Sequence, residues 1–104
     1  MIKHIVMWKL KEFAEGNNKS ENANIIKKSL ESLKGEISEI KFIEVGININ
    51  EAKQSYDVVL CSEFESMEAL DRYQKLPKHV KVANFIKKAV EERMNCPLKL
   101  VVIY

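Results

Sequence analysis

The chain has 104 residues, of which 46% are hydrophobic and 31% are charged, with a formal net charge of +2 at pH 7. This length and composition predict one folded domain over residues 1–104 and exclude a wholly disordered chain. The 17 basic residues are nearly balanced by 15 acidic ones, so no basic face for nucleic acid is expected.

No targeting or membrane segment is expected either. Met1 leads directly into a strand pattern, which predicts no signal peptide, and no apolar run approaches the roughly 20 residues needed to cross a bilayer. The two cysteines, Cys61 and Cys96, fit no metal spacing, and reduced thiols are favoured over a disulfide. A cytoplasmic protein without a metal or cofactor is therefore expected.

The first predicted strand runs from Ile2 to Leu10, where side chains alternate between two faces. One face is apolar except for His4, and it is expected to meet helices. The other face is apolar in the middle and charged at its ends, which suits a less dry neighbour.

A loop at residues 15–19 precedes the first predicted helix. Ser20 is expected to cap this helix, and its apolar stripe indicates an end near Lys34. Gly35 is expected to follow in the left-handed conformation that commonly ends helices.

Two further strands are predicted at residues 40–49 and 56–65, joined by a polar loop as in an antiparallel hairpin. Gly46 within the first of them suggests a bulge or a close backbone approach.

A second helical pattern starts after Ser66 and is interrupted by Pro77, because proline breaks a helix interior but suits a first turn. The apolar stripe then continues to Met94, and Asn95 is expected to end it. Residues 98–104 form the last predicted strand.

The predicted order β-α-β-β-α-β is the ferredoxin-like arrangement of an α+β fold. Four strands would form one antiparallel sheet with the helices on one face, leaving the other face open. A partly apolar open face predicts a homodimer, in which two sheets close into a barrel. The candidate residues for this face are Ile5, Met7, Ile43, Val45, Val59 and Cys61.

Four segments in this order resemble the stress-responsive α/β-barrel domain (Dabb) family of the dimeric α+β barrel superfamily. They are the opening strand 1–10, the glycine-bearing segment 43–46, the strand-to-helix junction 62–70 and the segment 73–79, which reads Tyr-x-x-x-Pro-x-His. The resemblance implies a ferredoxin-like monomer and a homodimeric barrel. It also implies site residues, because a polyketide cyclase in this family uses a histidine as base with help from a tyrosine.

His79 and Tyr73 match those two positions, and His4 matches a pocket histidine on the first strand. The family often has a second histidine before the proline, where this chain has Leu76. Three polar side chains in an apolar surrounding would suit a small-molecule pocket and proton abstraction next to a carbonyl. The predicted walls of this pocket are Val6, Trp8, Leu30 and Phe85.

Simpler interpretations stand beside this one. His4 and Tyr73 also fit a hydrogen-bonded core, and His79 also fits a solvated helix start. Three function classes therefore remain: a homodimeric module that binds a small apolar or aromatic metabolite, a cofactor-free cyclase or isomerase, and a monooxygenase of the dimeric α+β barrel type. A cation held by the acidic row of Asp57, Glu63 and Glu65 is only weakly indicated.

Overall fold

The computed structural model describes residues 1–48, 56–91 and 98–103. The elements are β1 Ile2–Trp8, β2 Phe13–Ala14, β3 Asn17–Asn18, α1 Lys19–Ser32, β4 Ile40–Ile47, β5 Val58–Phe64, α2 Met67–Lys75, α3 Pro77–Ala89 and β6 Leu98–Ile103. The main sheet has the order β4-β5-β1-β6 with every neighbouring pair antiparallel, which confirms the predicted ferredoxin-like α+β fold.

The main sheet has one face that the helices cover and one open face. Along both β1 and β5, buried residues alternate with half-buried ones. The buried set includes Val6 and Leu60, which pair across the two strands and belong to the hydrophobic core. The helices therefore cover one face only, as the sequence predicts.

The predicted open face is confirmed on β1 and β5 and wrong on β4. Val45 pairs with Leu60 and is 1% exposed, so it lies on the helix side together with Ile43, which packs against the core. The sequence groups these two residues on one strand face correctly, but it does not define which face the register turns toward the helices. Phe42 takes the open side instead and pairs with Glu63.

The bulge in β4 also differs from its predicted place. Gly46 pairs regularly with Val59, whereas the register shifts between Ile40 and Phe42. The strand therefore bends at its start, next to the segment that leaves α1, rather than in its middle.

The loop predicted at residues 15–19 overlaps a short hairpin of β2 and β3, which starts earlier, at Phe13. This hairpin moves the start of α1. Asn18, rather than Ser20, is the N-cap: its Oδ1 accepts from the Glu21 N–H at 2.8 Å, and Glu21 Oε1 accepts from the Asn18 N–H at 3.0 Å. Asparagine caps as well as serine does, so the chain uses the polar residue where the hairpin ends.

The hairpin turn contains two residues in the left-handed region, Glu15 with φ 51° and Gly16 with φ 80°. Two positive φ values are the pattern of the type I′ turn, which suits strand twist. Asn22, fully buried on α1, donates to the Ala14 carbonyl at 3.0 Å and so ties the hairpin to the helix. Glu15 therefore occupies a conformation in which its Cβ is unfavourable.

We expect Glu15→Asn to stabilise the protein by about 0.5–1 kcal/mol, because asparagine tolerates the left-handed region better than glutamate. Urea unfolding followed by circular dichroism measures this change. Glu15→Ala is the matched control, since it removes the 3.7 Å ion pair with Lys88 but keeps the strained Cβ. An equal gain in both variants would contradict the backbone explanation.

Two helix ends differ from their predicted form. Gly35 does not adopt a positive φ; α1 ends at Ser32 and continues as a single 3-10 turn at Leu33–Gly35. The helix α3 ends at Ala89 instead of Met94, because Val90 becomes extended and bridges to Leu10 beside β1. The predicted end signals at residues 94 and 95 lie outside the described residues.

Candidate functional site

The break between α2 and α3 brings the two candidate site residues together. Ser66 caps α2 as predicted, with its Oγ accepting from the Ala69 N–H at 3.1 Å. Leu76 is extended, with ψ 139°, and Pro77 opens α3 at the first helical position. The predicted interruption at Pro77 is therefore confirmed, and it places the last turn of α2 beside the first turn of α3.

Three rings form a row that runs from the sheet toward the surface, which we call the aromatic row: Phe64, Tyr73 and His79. The Phe64 and Tyr73 ring centroids are 5.0 Å apart, and those of Tyr73 and His79 are 4.4 Å apart with a 57° tilt. Phe64 and Tyr73 are 0% and 2% exposed, whereas His79 is half-buried. The row therefore joins the core to an accessible imidazole.

A hydrogen bond from the side chain to a backbone carbonyl orients the imidazole of His79. Its Nδ1 lies 3.1 Å from the carbonyl oxygen of Gln74. Because a carbonyl oxygen can only accept, a hydrogen bond in this contact requires the proton on Nδ1. In the neutral ring Nε2 is then the nitrogen with the lone pair, which is the atom that can take up a proton.

Burial raises the pKa of Tyr73 to about 12. The phenol therefore keeps its proton at neutral pH and can act as a hydrogen-bond donor, but not as a base. Together the two side chains offer one group that can accept a proton and one that can donate a hydrogen bond.

The raised pKa of Tyr73 predicts a loss of stability at alkaline pH. Between pH 10.0, the ordinary pKa, and about 12, the unfolded chain loses the phenolic proton while the native chain keeps it. The contribution of the protonated Tyr73 to the free energy of unfolding is therefore fully present below pH 10.0. It is lost as the pH rises to about 12, and a shift of two pKa units corresponds to a loss of about 2–3 kcal/mol. Lys19, whose pKa is also raised, titrates in every variant. Urea unfolding at the two ends of the window should therefore show a larger loss in Tyr56→Phe than in Tyr73→Phe; equal losses would contradict the assignment to Tyr73.

His4 lies on the helix side of β1, as predicted, and is 6% exposed. It pairs with Ser62, whose Oγ donates to the His4 carbonyl at 3.3 Å. It is two residues along the strand from Ile2, the β1 partner of Phe64. His4 therefore shares the sheet face on which the aromatic row rests.

The predicted pocket walls divide into two groups. Val6, Trp8 and Leu30 are core residues, each no more than 7% exposed. Phe85 is half-buried and packs against the edge of that core. The three deep residues therefore belong to the core, whereas Phe85 is partly accessible.

Sequence reasoning missed two contributors to the site, Phe64 and Gln74. Phe64 could have been found, since it lies on the same predicted strand face as Ser62 and Leu60. Gln74 could not, because its contribution is a backbone carbonyl, and any residue type supplies one.

The acidic row predicted on β5 does not act as one group. Asp57 accepts from the Leu10 N–H at 2.8 Å and lies 3.6 Å from Lys19 Nζ, so it fastens β1 and α1. Within residues 1–48, 56–91 and 98–103, no group of three or more His, Cys, Asp or Glu side chains is arranged to hold a metal ion. No helix in the same ranges is long and apolar enough to span a membrane.

Comparison with known proteins gives a family and a fold. The profile of the stress responsive A/B barrel domain family (Dabb) matches residues 2–96. An uncharacterized protein of Streptomyces coelicolor is 29% identical over 79 residues, which cover 76% of this chain and 79% of that protein.

Two solved structures are similar over almost the whole chain. A dimeric protein of unknown function with a ferredoxin-like fold from Bacteroides fragilis has a TM-score of 0.80 and 27% identity, covering 99% of this chain and 95% of its own. A hydroxynitrile lyase from Passiflora edulis has a TM-score of 0.77 and 17% identity, covering 99% and 92%. At that identity, the likeness to the lyase shows the fold alone.

Proposed function

Because the chain belongs to the stress responsive A/B barrel domain family, we propose that it forms a homodimer that binds a small apolar or aromatic metabolite between sheet and helices. The observation that carries this proposal is the contact between Tyr73 and His79 at the α2–α3 break. It combines an imidazole that is partly accessible with a buried phenol that belongs to the hydrophobic core. Ligand sites commonly have this composition, a few polar groups within an apolar lining.

The homodimer is supported by the open sheet face and by the dimeric protein from Bacteroides fragilis. Ile5, Met7 and Val59 lie on this face and are only half-buried by the part of the chain that the structure describes. A partner sheet would cover this apolar surface, which a small domain covers poorly by itself. The cytoplasmic location remains a prediction from the sequence.

The ligand would enter beside His79, the accessible end of the aromatic row, and the half-buried Phe85 further along α3 would be an additional contact. Leu76, between α2 and α3, and Val82 on α3 are also half-buried and pack against the core, so they would supply further apolar surface. The deeper predicted residues His4, Val6, Trp8 and Leu30 would then form the floor rather than the contact surface.

A second candidate function is cofactor-free enolisation, as in a cyclase or isomerase. His79 Nε2 would take a proton from the carbon next to a ligand carbonyl. The C–H electron pair would form the C=C bond of the enolate while the carbonyl π pair moves to the oxygen. The Tyr73 hydroxyl would donate a hydrogen bond to that oxygen, and the imidazolium would return the proton when the product forms. The tautomer set by Gln74 favours this candidate. The monooxygenase alternative remains a prediction from the sequence.

One sample tests both candidates, with acetophenone in heavy water as the probe. Saturation-transfer NMR reports binding, and loss of the methyl proton signal reports enolisation by exchange with deuterium. We expect binding in the wild type and, if the chain is an enzyme, exchange that falls by about 10²–10⁴-fold in His79→Ala. The exchange rate should fall less in Tyr73→Phe than in His79→Ala.

Lys78→Ala is the control, since Lys78 is an exposed neighbour of His79. Binding without exchange would support a binding function and exclude enolisation of this probe. Exchange that persists in His79→Ala would contradict the role of His79.

A further inference from the structure

The break between α2 and α3 changes the hydrogen bonding of the last carbonyls of α2. In a continuous helix the Gln74 carbonyl would accept from the N–H of residue 78, four positions later. Leu76 is extended and Pro77 starts a new helix, so the chain turns away between the two groups. The carbonyls at a helix end need other partners, and here the side chain of His79 supplies one at 3.1 Å.

The same break determines how the ring is held. Pro77 has a fixed φ and no N–H, which suits the first position of α3 and prevents α2 from continuing. His79 follows in the first turn of α3, from where its Nδ1 reaches back to Gln74 while the ring rests against Tyr73. The hydrogen bond to the Gln74 carbonyl favours the proton on Nδ1, and the contact with the Tyr73 ring restricts the orientation of the imidazole ring.

We propose that the break between α2 and α3 holds His79 as the Nδ1–H tautomer, which makes Pro77 a positioning residue for the imidazole. The consequence for a ligand rests on the proposed function: Nε2 would be the nitrogen that meets it. The tautomer itself does not, because it is a property of the protein without any ligand.

The tautomer can be measured directly by two-bond 1H–15N NMR correlation of the histidine rings in the full chain, at a pH above the titration of His79 seen in the same sample. A net hydrogen bond of about 0.5–1.5 kcal/mol shifts the ratio of the two tautomers by roughly threefold to tenfold toward the Nδ1–H form, relative to a solvated imidazole. A wild-type ring with the tautomer ratio of a solvated imidazole would overturn the proposal.

Pro77→Ala tests the role of the break. It lets α2 and α3 join, so the residue 78 N–H competes for the Gln74 carbonyl, and the shift toward the Nδ1–H form should disappear. Lys78→Ala, one residue further along, should keep it. A Pro77→Ala protein that retains the wild-type shift would overturn the positioning role of Pro77.

A pair of isosteric variants keeps the proposal testable if Pro77→Ala does not fold. The amide nitrogen of His79→Asn takes the place of Nδ1 and can still donate to Gln74, whereas that of His79→Gln takes the place of Nε2. We expect His79→Asn to melt at the higher temperature, although glutamine is the better helix former. Equal melting temperatures, or a higher one for His79→Gln, would overturn the proposal.

Discussion

Phe64→Ala is expected to lower the free energy of unfolding by about 3–5 kcal/mol, the range for truncating a buried aromatic residue. Phe64 is 0% exposed at the end of β5, pairs with Ile2 and Ile40 on the two neighbouring strands and carries the Tyr73 ring at 5.0 Å. Removal of the Phe64 ring would leave a cavity under the aromatic row. The loss in stability therefore includes packing around Tyr73 as well as the burial of the ring's own apolar surface. Urea unfolding followed by circular dichroism measures it.

Two controls separate this loss from a general effect of removing aromatic residues. Phe64→Leu keeps most of the volume and should cost less than about 1.5 kcal/mol. Phe13→Ala removes a ring that is 69% exposed on the β2–β3 hairpin and should change stability by no more than about 0.5 kcal/mol. A loss in Phe64→Ala no larger than in Phe13→Ala would contradict the position assigned to the aromatic row.

Ile5→Glu is expected to dissociate the proposed homodimer. Ile5 lies near the middle of β1 on the open face and pairs with Cys61 on β5. In a two-fold symmetric dimer the substitution places two carboxylates in the interface, and burying each without a partner costs several kcal/mol. The dissociation constant should therefore rise by roughly 10³-fold or more.

Sedimentation equilibrium measures this change, since the monomer has a mass of 12.0 kDa. Ile25→Glu is the matched control, because Ile25 is 36% exposed on α1, away from the open face. A wild-type protein that sediments as a monomer, or an Ile5→Glu variant that remains dimeric, would contradict this interface.

Much of the fold follows from local patterns in the sequence. The alternation in β1 predicts its buried face, and Pro77 predicts the division between α2 and α3, because both depend on rules that act within a few residues. The side of Val45 could not be predicted, since the register of β4 against β5 decides it. The early end of α3 could not be predicted either, because it depends on a contact between distant residues: Val90 leaves the helical pattern and forms a bridge with Leu10.

The candidate site shows the same division. The Tyr-x-x-x-Pro-x-His pattern indicates Tyr73 and His79, and the structure brings their rings into contact. The pattern does not predict that Val6, Trp8 and Leu30 fill the core instead of lining an open space. Side-chain volume and helix position decide how deep a residue lies, and neither is encoded in a short motif. The hydrogen bond from His79 to Gln74 involves a carbonyl that every residue has.

Chemical-shift mapping with a panel of small aromatic ketones and phenols is the most direct test of the central claim, that the Tyr73–His79 contact is the ligand site. The predicted result is that the compounds that bind perturb the same group of signals, those of Tyr73, His79 and Phe85. The signals of Phe13, on the exposed hairpin, should stay unchanged. Perturbations centred on the hairpin or the open sheet face, with Tyr73 and His79 unaffected, would contradict the claim.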